Sequence, residues 1–280
     1  MGTVAETVGA LTRGFTDAGF PSARLDARIL VGHVMGLEPS LLFARGDVVI
    51  TDADMATIIA YANRHLAHEP VSRIIGEREF YGLAFKISAD TLDPRPDTET
   101  LVDAVLAHRA MFAAPRILDL GTGTGCIPLA ILSAWPEATA LGIDIAPGAI
   151  QVATENAGRL GLAARARFQV GDWTQGIGGS FEIVVSNPPY ITEAEYMALD
   201  PEVRLYDPRA ALTAGQDGLG AYRALLAPAA ALLAPGGRIF LEIGLGQADA
   251  VTALAQAAGL RILARHPDLG GIDRCLVFAV

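Results

Sequence analysis

From Pro115 to the C-terminus, short apolar runs rich in β-branched residues alternate with stretches of helical spacing. Strands that alternate with helices in this way form a parallel sheet that is covered by helices on both faces. The last two runs are separated only by a short segment with Gly270 and Gly271, so one of these strands should run antiparallel to the rest. We therefore predict an α/β fold with a doubly wound, mostly parallel sheet of seven strands. The strands are expected at residues 116–120, 140–145, 166–170, 182–185, 238–243, 262–265 and 275–280, and the helices begin near Gly125, Pro147, Gly218 and Gln247.

The first 68 residues have the pattern of a small helical bundle instead. Helix starts are predicted at Thr3, at Pro21 and Ser22, and at Thr51, because capping residues precede an apolar period at each place. The third helix is expected to bury one face, formed by Met55, Ile58, Ile59, Ala62 and Leu66.

A β-hairpin linker is predicted next, because residues 71–75 and 83–87 alternate with a period of two and are bounded by Gly76 and Gly82. After this linker, Asp97 is expected to cap a further helix. The predicted domains are a helical domain at residues 1–70, the linker at residues 71–92 and the α/β domain at residues 93–280.

A glycine-rich turn follows the first strand of the α/β domain and precedes its first helix. Glycines at this place let the backbone approach a nucleotide-like ligand. Two further strands end in polar residues at the same edge, where Asp144 is placed to bind a ribose diol, Asp172 to accept from an exocyclic amine and Trp173 to cover a base. The predicted cofactor-binding residues are Asp119, Gly121, Thr122, Gly123, Thr124, Gly125, Asp144, Asp172, Trp173 and Asn187.

The spacing of the glycines and the position of Asp119 indicate which cofactor binds. A dinucleotide site favours two residues between its second and third glycine, whereas Gly123 and Gly125 enclose one. The carboxylate of Asp119 would repel a pyrophosphate but attract a cationic ligand. S-adenosylmethionine, which carries a sulfonium and an α-ammonium group, fits both features.

The strand at residues 182–185 ends in Asn187, Pro188, Pro189 and Tyr190, which we predict to be the catalytic residues. Two consecutive prolines fix two φ angles and remove two backbone donors, so the carbonyl oxygens of Asn187 and Pro188 need partners outside the local backbone. Together with the Asn187 side-chain oxygen they form a cluster of acceptors for an NH2 group, and Tyr190 is expected to lie flat over that group.

Composition limits the classes of function. The net charge of −10 and the pI of about 4.9 argue against binding a duplex through its phosphates. Cys126 and Cys275 lack metal-ligand or disulfide spacing, and His65 and His68, expected at an exposed helix end, lack a third ligand, so no metal is predicted. The longest apolar stretch contains Pro228 and is shorter than the roughly 20 residues of a membrane helix, so a cytoplasmic protein without a membrane partner is expected.

These motifs and their order resemble those of the HemK/PrmC family, the release-factor glutamine N5-methyltransferases. The resemblance covers nearly the whole chain, because it includes the segments Gly76 to Gly82, Pro94 to Glu99 and Asp217 to Leu219. It implies a Rossmann-like methyltransferase domain that transfers a methyl group from S-adenosylmethionine to the glutamine of a Gly-Gly-Gln motif in class 1 peptide chain release factors. The N-terminal domain would then dock the protein substrate, since one glutamine offers too little contact area for specificity.

The resemblance also implies that Arg95 and Glu99 lie at the mouth of the active site, where they can form an ion pair or merely a surface pair at a helix start. One segment departs from the family pattern, because Ile272 stands before Asp273 and Arg274 where relatives tend to have a basic residue.

Two alternatives remain open from the residues. Adenine also presents a planar NH2 group, so an adenine N6 methyltransferase acting on nucleic acid fits the acceptor cluster, although the acidic charge balance counts against it. The other alternative is a non-catalytic cofactor-binding module, which would have no need for the acceptor cluster.

Overall fold

The computed structural model of the protein describes residues 2–38 and 41–280. The chain divides into two compact units, one ending at Gly76 and the other beginning at Glu77. The domain boundaries predicted above stay predictions.

The first unit is helical, and its first three helices begin at the predicted caps. Thr3 and Glu6 form a capping box in which the Thr3 hydroxyl accepts from the Glu6 N–H at 3.3 Å and the Glu6 carboxylate accepts from the Thr3 N–H at 2.9 Å. Ser22 and Thr51 precede the second and third helices. The helices are α1 Val4–Asp17, α2 Ala23–Met35, α3 Asp52–Leu66 and α4 Val71–Ile75.

The prediction of a strand at residues 71–75 was wrong, because these residues form α4. Val71, Ile74 and Ile75 also have the i, i+3, i+4 spacing of a helix, and five residues are too few to separate the two periods. Gly76 ends α4 with a left-handed φ of 76°.

The predicted face of α3 was also partly wrong. Ile59 and Leu66 are exposed, whereas Ile58, Ala62 and His65 are buried. The expectation of an exposed helix end at His65 therefore fails. Its ring packs against Phe15 and Phe20, with ring centroids 4.7 and 4.2 Å away, which brings the imidazole into the core of this unit.

The second unit starts with a β-hairpin and continues as an α/β fold. The hairpin pairs β1 Glu77–Phe80 with β2 Leu83–Lys86 across a two-residue turn, in which Tyr81 and Gly82 both have positive φ. The remaining strands are β3 Arg116–Leu120, β4 Thr139–Asp144, β5 Ala166–Val170, β6 Phe181–Ser186, β7 Leu233–Glu242, β8 Arg261–Pro267 and β9 Asp273–Ala279. The helices are α5 Glu99–Leu106, α6 Cys126–Ala134, α7 Pro147–Arg159, α8 Glu193–Ala198, α9 Pro201–Tyr206, α10 Gly220–Ala231 and α11 Ala248–Ala257.

The sheet confirms the predicted fold class. Its seven strands have the order β5-β4-β3-β6-β7-β9-β8, and β9 runs antiparallel to both of its neighbours. The first five strands of this order are parallel, so β3, β4, β5 and β6 end at one edge of the sheet. Two hydrophobic clusters cover the sheet, one including α5 and α6 and the other α10 and α11.

Asp97 does not cap a helix as predicted. It lies inside a short 3-10 helix, Pro96–Thr98, that leads into α5, and no side chain caps that turn. Across the described residues, no helix has both the length and the hydropathy that a membrane crossing needs.

Candidate active site

A cavity of about 440 Å³ lies at the carboxyl ends of β3 to β6, where the sequence places its polar residues. Ligands of open parallel sheets bind at this edge. Most of the predicted site residues line the cavity: Gly121, Thr122, Gly123, Thr124, Asp144, Asp172, Trp173, Asn187 and Pro189.

Four predicted residues are absent from the lining of this cavity, which consists of described residues throughout. Asp119 has no exposed surface. Gly125 packs tightly, because an added Cβ would be 3.1 Å from Phe168 and 3.2 Å from Ala153. Pro188 and Tyr190 are not among the lining residues, and the expected position of the Tyr190 ring over an acceptor amide stays a prediction.

Asp144 holds the glycine-rich loop as well as facing the cavity. Its Oδ2 accepts from the Gly123 N–H at 2.8 Å and its Oδ1 accepts from the Ala146 N–H at 2.9 Å. Burial raises the pKa of Asp144, and these two N–H groups oppose the shift. Each carboxylate oxygen keeps a second lone pair for a ligand.

The glycine-rich loop is tied to β4 through its backbone. The N–H groups of Gly121 and Thr122 both donate to the Ile143 carbonyl at 2.9 Å. Gly142 of β4 is required nearby, because a Cβ there would lie 2.5 Å from Phe168 and 2.6 Å from the Thr122 hydroxyl. The loop is therefore positioned by a close backbone approach that only glycine permits.

Trp173 forms an aromatic wall of the cavity at the end of β5 and packs partly against the core. Its φ of 50° lies in the left-handed region, which is rare for a bulky residue and is found at functional sites.

The chemistry of this half of the cavity fits S-adenosylmethionine. Neither carboxylate oxygen of Asp119 meets hydrogen-bond geometry with a partner in the described part of the chain, and the same is true of the Thr122 hydroxyl. Burial raises the pKa of Asp119 to about 7, the nearby Thr122 hydroxyl opposes the shift and Asp144 adds to it. A cationic ligand above these carboxylates would stabilise their ionised forms.

The Asn187 loop begins where β6 ends. The Ser186 hydroxyl donates to the Leu120 carbonyl at 2.6 Å, which joins the ends of β6 and β3. The Asn187 Nδ2 donates to the Thr98 hydroxyl oxygen at 3.2 Å. On the far side of the loop, the Tyr190 carbonyl accepts from Gln247 at 2.9 Å and the Tyr190 hydroxyl donates to Glu242 Oε1 at 3.3 Å.

Thr98, Glu242 and Gln247 support this loop, and none of them was predicted as a site residue. Glu242 ends β7 after an apolar run, so the reasoning that selected Asp144 at the end of β4 would also have selected it. Burial raises the pKa of Glu242 to about 7, Thr98, Arg274 and Tyr190 oppose the shift, and Asp97 adds to it.

Arg95 forms a different ion pair from the predicted one. It pairs with Asp207, whose side chain is 3% exposed, while Glu99 accepts from the Tyr81 N–H at 2.8 Å. Asp207 follows α9, and the segment after it contributes Pro208 and Thr213 among other residues to the cavity wall. Within residues 2–38 and 41–280, no group of three His, Cys, Asp or Glu side chains is placed to hold a metal ion.

Comparisons with known proteins place this arrangement in a family. The model of the PrmC N-terminal domain matches residues 9–76, and that of the methyltransferase small domain matches residues 79–200. In fold, the hMettl16 catalytic domain, solved in complex with a 3'UTR hairpin, matches with a TM-score of 0.58 at 15% identity, over 72% of this chain and 77% of that chain.

Two curated relatives match over nearly the full chain. The release factor glutamine methyltransferase of Rhodospirillum rubrum is 50% identical over 260 residues, which cover 93% of this chain and 80% of that protein. The release factor glutamine methyltransferase of Cereibacter sphaeroides is 45% identical over 257 residues, covering 92% and 91% respectively. From these family models and relatives, the chain belongs to the release factor glutamine methyltransferase family.

Proposed function

We propose that this enzyme transfers a methyl group from S-adenosylmethionine to the side-chain amide nitrogen, N5, of the glutamine in the Gly-Gly-Gln motif of class 1 peptide chain release factors. The observation that carries the proposal is the Asn187 amide, whose nitrogen is engaged by Thr98 while the side chain lines the cavity. This arrangement leaves the amide oxygen as an acceptor for an incoming NH2 group.

Binding of the methyl donor falls to the β3 to β5 side of the cavity. The glycine-rich loop lets the donor approach the backbone, Asp144 binds the ribose, and Asp172 and Trp173 bind the adenine. Asp119 contributes negative charge below the loop. When bound, S-adenosylmethionine supplies an electrophilic methyl group on a sulfonium.

The acceptor side must orient a poor nucleophile, because the lone pair of an amide nitrogen is delocalised into its carbonyl. The Asn187 side-chain oxygen and the Pro188 carbonyl accept the two N–H bonds of the glutamine and aim its nitrogen at the methyl group. The methyl–sulfur bond breaks as the nitrogen–carbon bond forms, and its electron pair stays on sulfur as a neutral thioether. The nitrogen becomes acidic during this step and loses a proton to solvent, so no strong base is needed beforehand. Pro188 and Pro189 keep these acceptors in place by fixing two φ angles, and Tyr190 anchors the loop.

The proposal includes where and with what the enzyme works. Its partner is the release factor, in the cytoplasm, with neither a stable nucleic acid nor a membrane involved, and the helical unit docks that protein substrate. The acidic net charge of −10 supports this over the adenine alternative.

The test is incubation of the protein with labelled S-adenosylmethionine and a purified class 1 release factor, followed by mass spectrometry. A single methyl group on the glutamine of the Gly-Gly-Gln motif is expected, and a release factor with alanine at that glutamine should stay unlabelled. Label in added DNA or RNA would favour the adenine alternative. Cofactor binding without any transfer would favour the non-catalytic module.

A further inference from the structure

The Asn187 side chain can sit in two orientations that differ by the exchange of its oxygen and nitrogen. Only one orientation presents an acceptor to the NH2 group of a substrate, and the two have nearly the same shape. Neighbouring groups must therefore determine which one is occupied. In the structure Asn187 Nδ2 lies 3.2 Å from the Thr98 hydroxyl oxygen and donates to it.

Thr98 alone does not decide the orientation, because a hydroxyl both donates and accepts. Thr98 borders the cavity but is only 2% exposed, so little of its surface is open to water that could take up an unused donor. Its oxygen already accepts from Asn187, and its hydrogen then needs an acceptor of its own, since an unpaired buried donor is costly.

Glu242 is the acceptor placed to meet this need. Ser186 pairs with Leu241 across β6 and β7, so Glu242 lies beside the start of the Asn187 loop. It is 1% exposed, its Oε1 accepts from the Tyr190 hydroxyl at 3.3 Å, and its Oε2 lacks a donor that meets hydrogen-bond geometry within the described residues. Thr98 is close enough to lower the pKa of this carboxylate, so the Thr98 hydroxyl hydrogen can turn to Oε2 of Glu242, which has no other donor among the described residues. An ionised carboxylate only accepts, which leaves the Thr98 oxygen to accept from Asn187.

From this order of donors and acceptors we infer that ionised Glu242, acting through Thr98, fixes the Asn187 amide with its oxygen towards the substrate nitrogen. Glu242 is a positioning residue, because it does not line the cavity and acts only through Thr98 and Tyr190. The inference rests on the proposed function, since it assigns a role to the acceptor half of the same site.

Protonation of Glu242 would reverse the direction of the hydrogen bonds between Asn187, Thr98 and Glu242. A neutral carboxyl group can donate to the Thr98 oxygen, and the Thr98 hydrogen then points to Asn187 and favours its oxygen on that side. The pKa of Glu242, raised to about 7 by burial, places this reversal near neutral pH. The titratable or charged groups that shift the pKa of Glu242 are Arg274, Tyr190 and Asp97. Burial raises the pKa of Tyr222, Cys275 and Cys126, and Glu242 in turn adds to these shifts. The charge of Arg274 is shared with Asp97 at 3.2 Å and Asp268 at 3.0 Å.

The kinetic test uses Glu242→Gln, with Glu182→Gln as the matched control, because Glu182 pairs with Arg116 at 3.1 Å away from the cavity. In wild type, kcat should fall below about pH 7. In Glu242→Gln, kcat at pH 8 should be roughly 10- to 100-fold lower, the decline below pH 7 should disappear, and the KM for S-adenosylmethionine should stay within about twofold. The control should keep the wild-type profile. An unchanged kcat in Glu242→Gln, or a retained decline below pH 7, overturns the inference.

A second pair of variants separates positioning from a general loss of structure. Thr98→Val removes the hydroxyl at nearly constant volume and should lower kcat by a similar factor, and Thr98→Ser should recover most of that loss. Equal activity of the valine and serine variants overturns the inference.

A readout without cofactor or substrate is the side-chain NH2 signal of Asn187 in nitrogen-15 spectra, identified by its loss in Asn187→Asp. It should shift with a midpoint near pH 7 in wild type and lose this titration in Glu242→Gln. Persistence of the titration in that variant overturns the inference. If wild type methylates release factor while all variants match it, the inference fails and the proposed function stands. Absence of methylation by wild type overturns both.

Discussion

The two halves of the cavity are held in place by different means. On the donor side, backbone groups of the glycine-rich loop bind Ile143 and Asp144, which follow the loop at the end of the adjacent strand. On the acceptor side, the Asn187 loop has two prolines, and its support comes from Thr98, Glu242 and Gln247 on three other elements. The glycine-rich loop of the donor half is positioned by backbone contacts that side chains would block. The Asn187 loop of the acceptor half is positioned by a few buried polar side chains.

The largest effect is expected from Asn187→Ala, which removes the central acceptor and leaves the glycine-rich loop intact. Loss of one such preorganised contact should lower kcat by roughly two to three orders of magnitude. The Kd of S-adenosylmethionine, measured by calorimetry, should change by less than about tenfold, since most of the donor contacts lie elsewhere. Methyl transfer within a few-fold of wild type would contradict the role of Asn187, and a larger loss in affinity than in kcat would place it in the donor half.

Gly142→Ala targets the donor half, so we expect it to weaken the binding of S-adenosylmethionine, in contrast to Asn187→Ala. The new Cβ would be 2.5 Å from Phe168 and 2.6 Å from the Thr122 hydroxyl, so the glycine-rich loop must shift. We expect S-adenosylmethionine to bind roughly tenfold more weakly and the free energy of unfolding to fall by about 1–3 kcal/mol. The control is Gly158→Ala in α7, where an added Cβ meets nothing within 4 Å. It should leave binding unchanged and raise stability slightly. Wild-type affinity in Gly142→Ala would show that the loop tolerates the shift.

The same contrast explains what the sequence predicted and what it did not. The donor half could be predicted from the sequence because its parts lie near one another along the chain. A glycine-rich turn is followed about twenty residues later by a carboxylate, and each stands at the end of a strand. Strands β3 and β5 were predicted with their exact bounds, since their apolar runs have clear limits. The acceptor half could be predicted only in part. The sequence indicates Asn187, but Glu242 is found to be its neighbour only when the register between β6 and β7 is known.

The local errors have a similar origin. Residues 71–75 fit both periods, and only their surroundings select a helix. Arg95 was expected to pair with Glu99, four residues away, but it pairs with Asp207, more than a hundred residues later in the chain. Short-range spacing therefore predicted which groups lie at the site, while long-range contacts determine which of them pair.

A smaller effect is expected from Asp119→Asn, which tests the electrostatics of the donor half. The pKa of Asp119 is raised to about 7, so the folded protein retains a proton between about pH 4 and pH 7 that the unfolded chain has lost. Stability therefore falls as pH rises through this window, and the full cost is present above pH 7. Asp119→Asn should gain on the order of 1–3 kcal/mol relative to wild type between pH 4.5 and pH 8.

The stability of Asp119→Asn is measured by urea unfolding at several pH values. Glu242→Gln is measured in the same way for comparison, because burial also raises the pKa of Glu242 to about 7. S-adenosylmethionine should bind wild type more tightly at pH 8 than at pH 6, and this dependence should weaken in Asp119→Asn. A variant whose stability difference from wild type does not change with pH would contradict the assigned pKa.

The smallest effect is expected in the helical unit that we propose docks the release factor, because no described residue of this unit lines the cavity. Phe43 of that unit is 93% exposed and makes a suitable contact for a protein partner. Phe43→Ser should raise the KM for whole release factor by roughly 3- to 10-fold, because one exposed contact contributes about 1 kcal/mol. The KM for a short Gly-Gly-Gln peptide should not change, since the peptide reaches only the cavity. Leu269→Ser, which alters a fully exposed leucine of the second unit, is the control and should affect neither substrate. Equal changes for protein and peptide in Phe43→Ser would remove docking from this part of the helical unit, and the specificity for release factors would then have to come from the walls of the cavity itself.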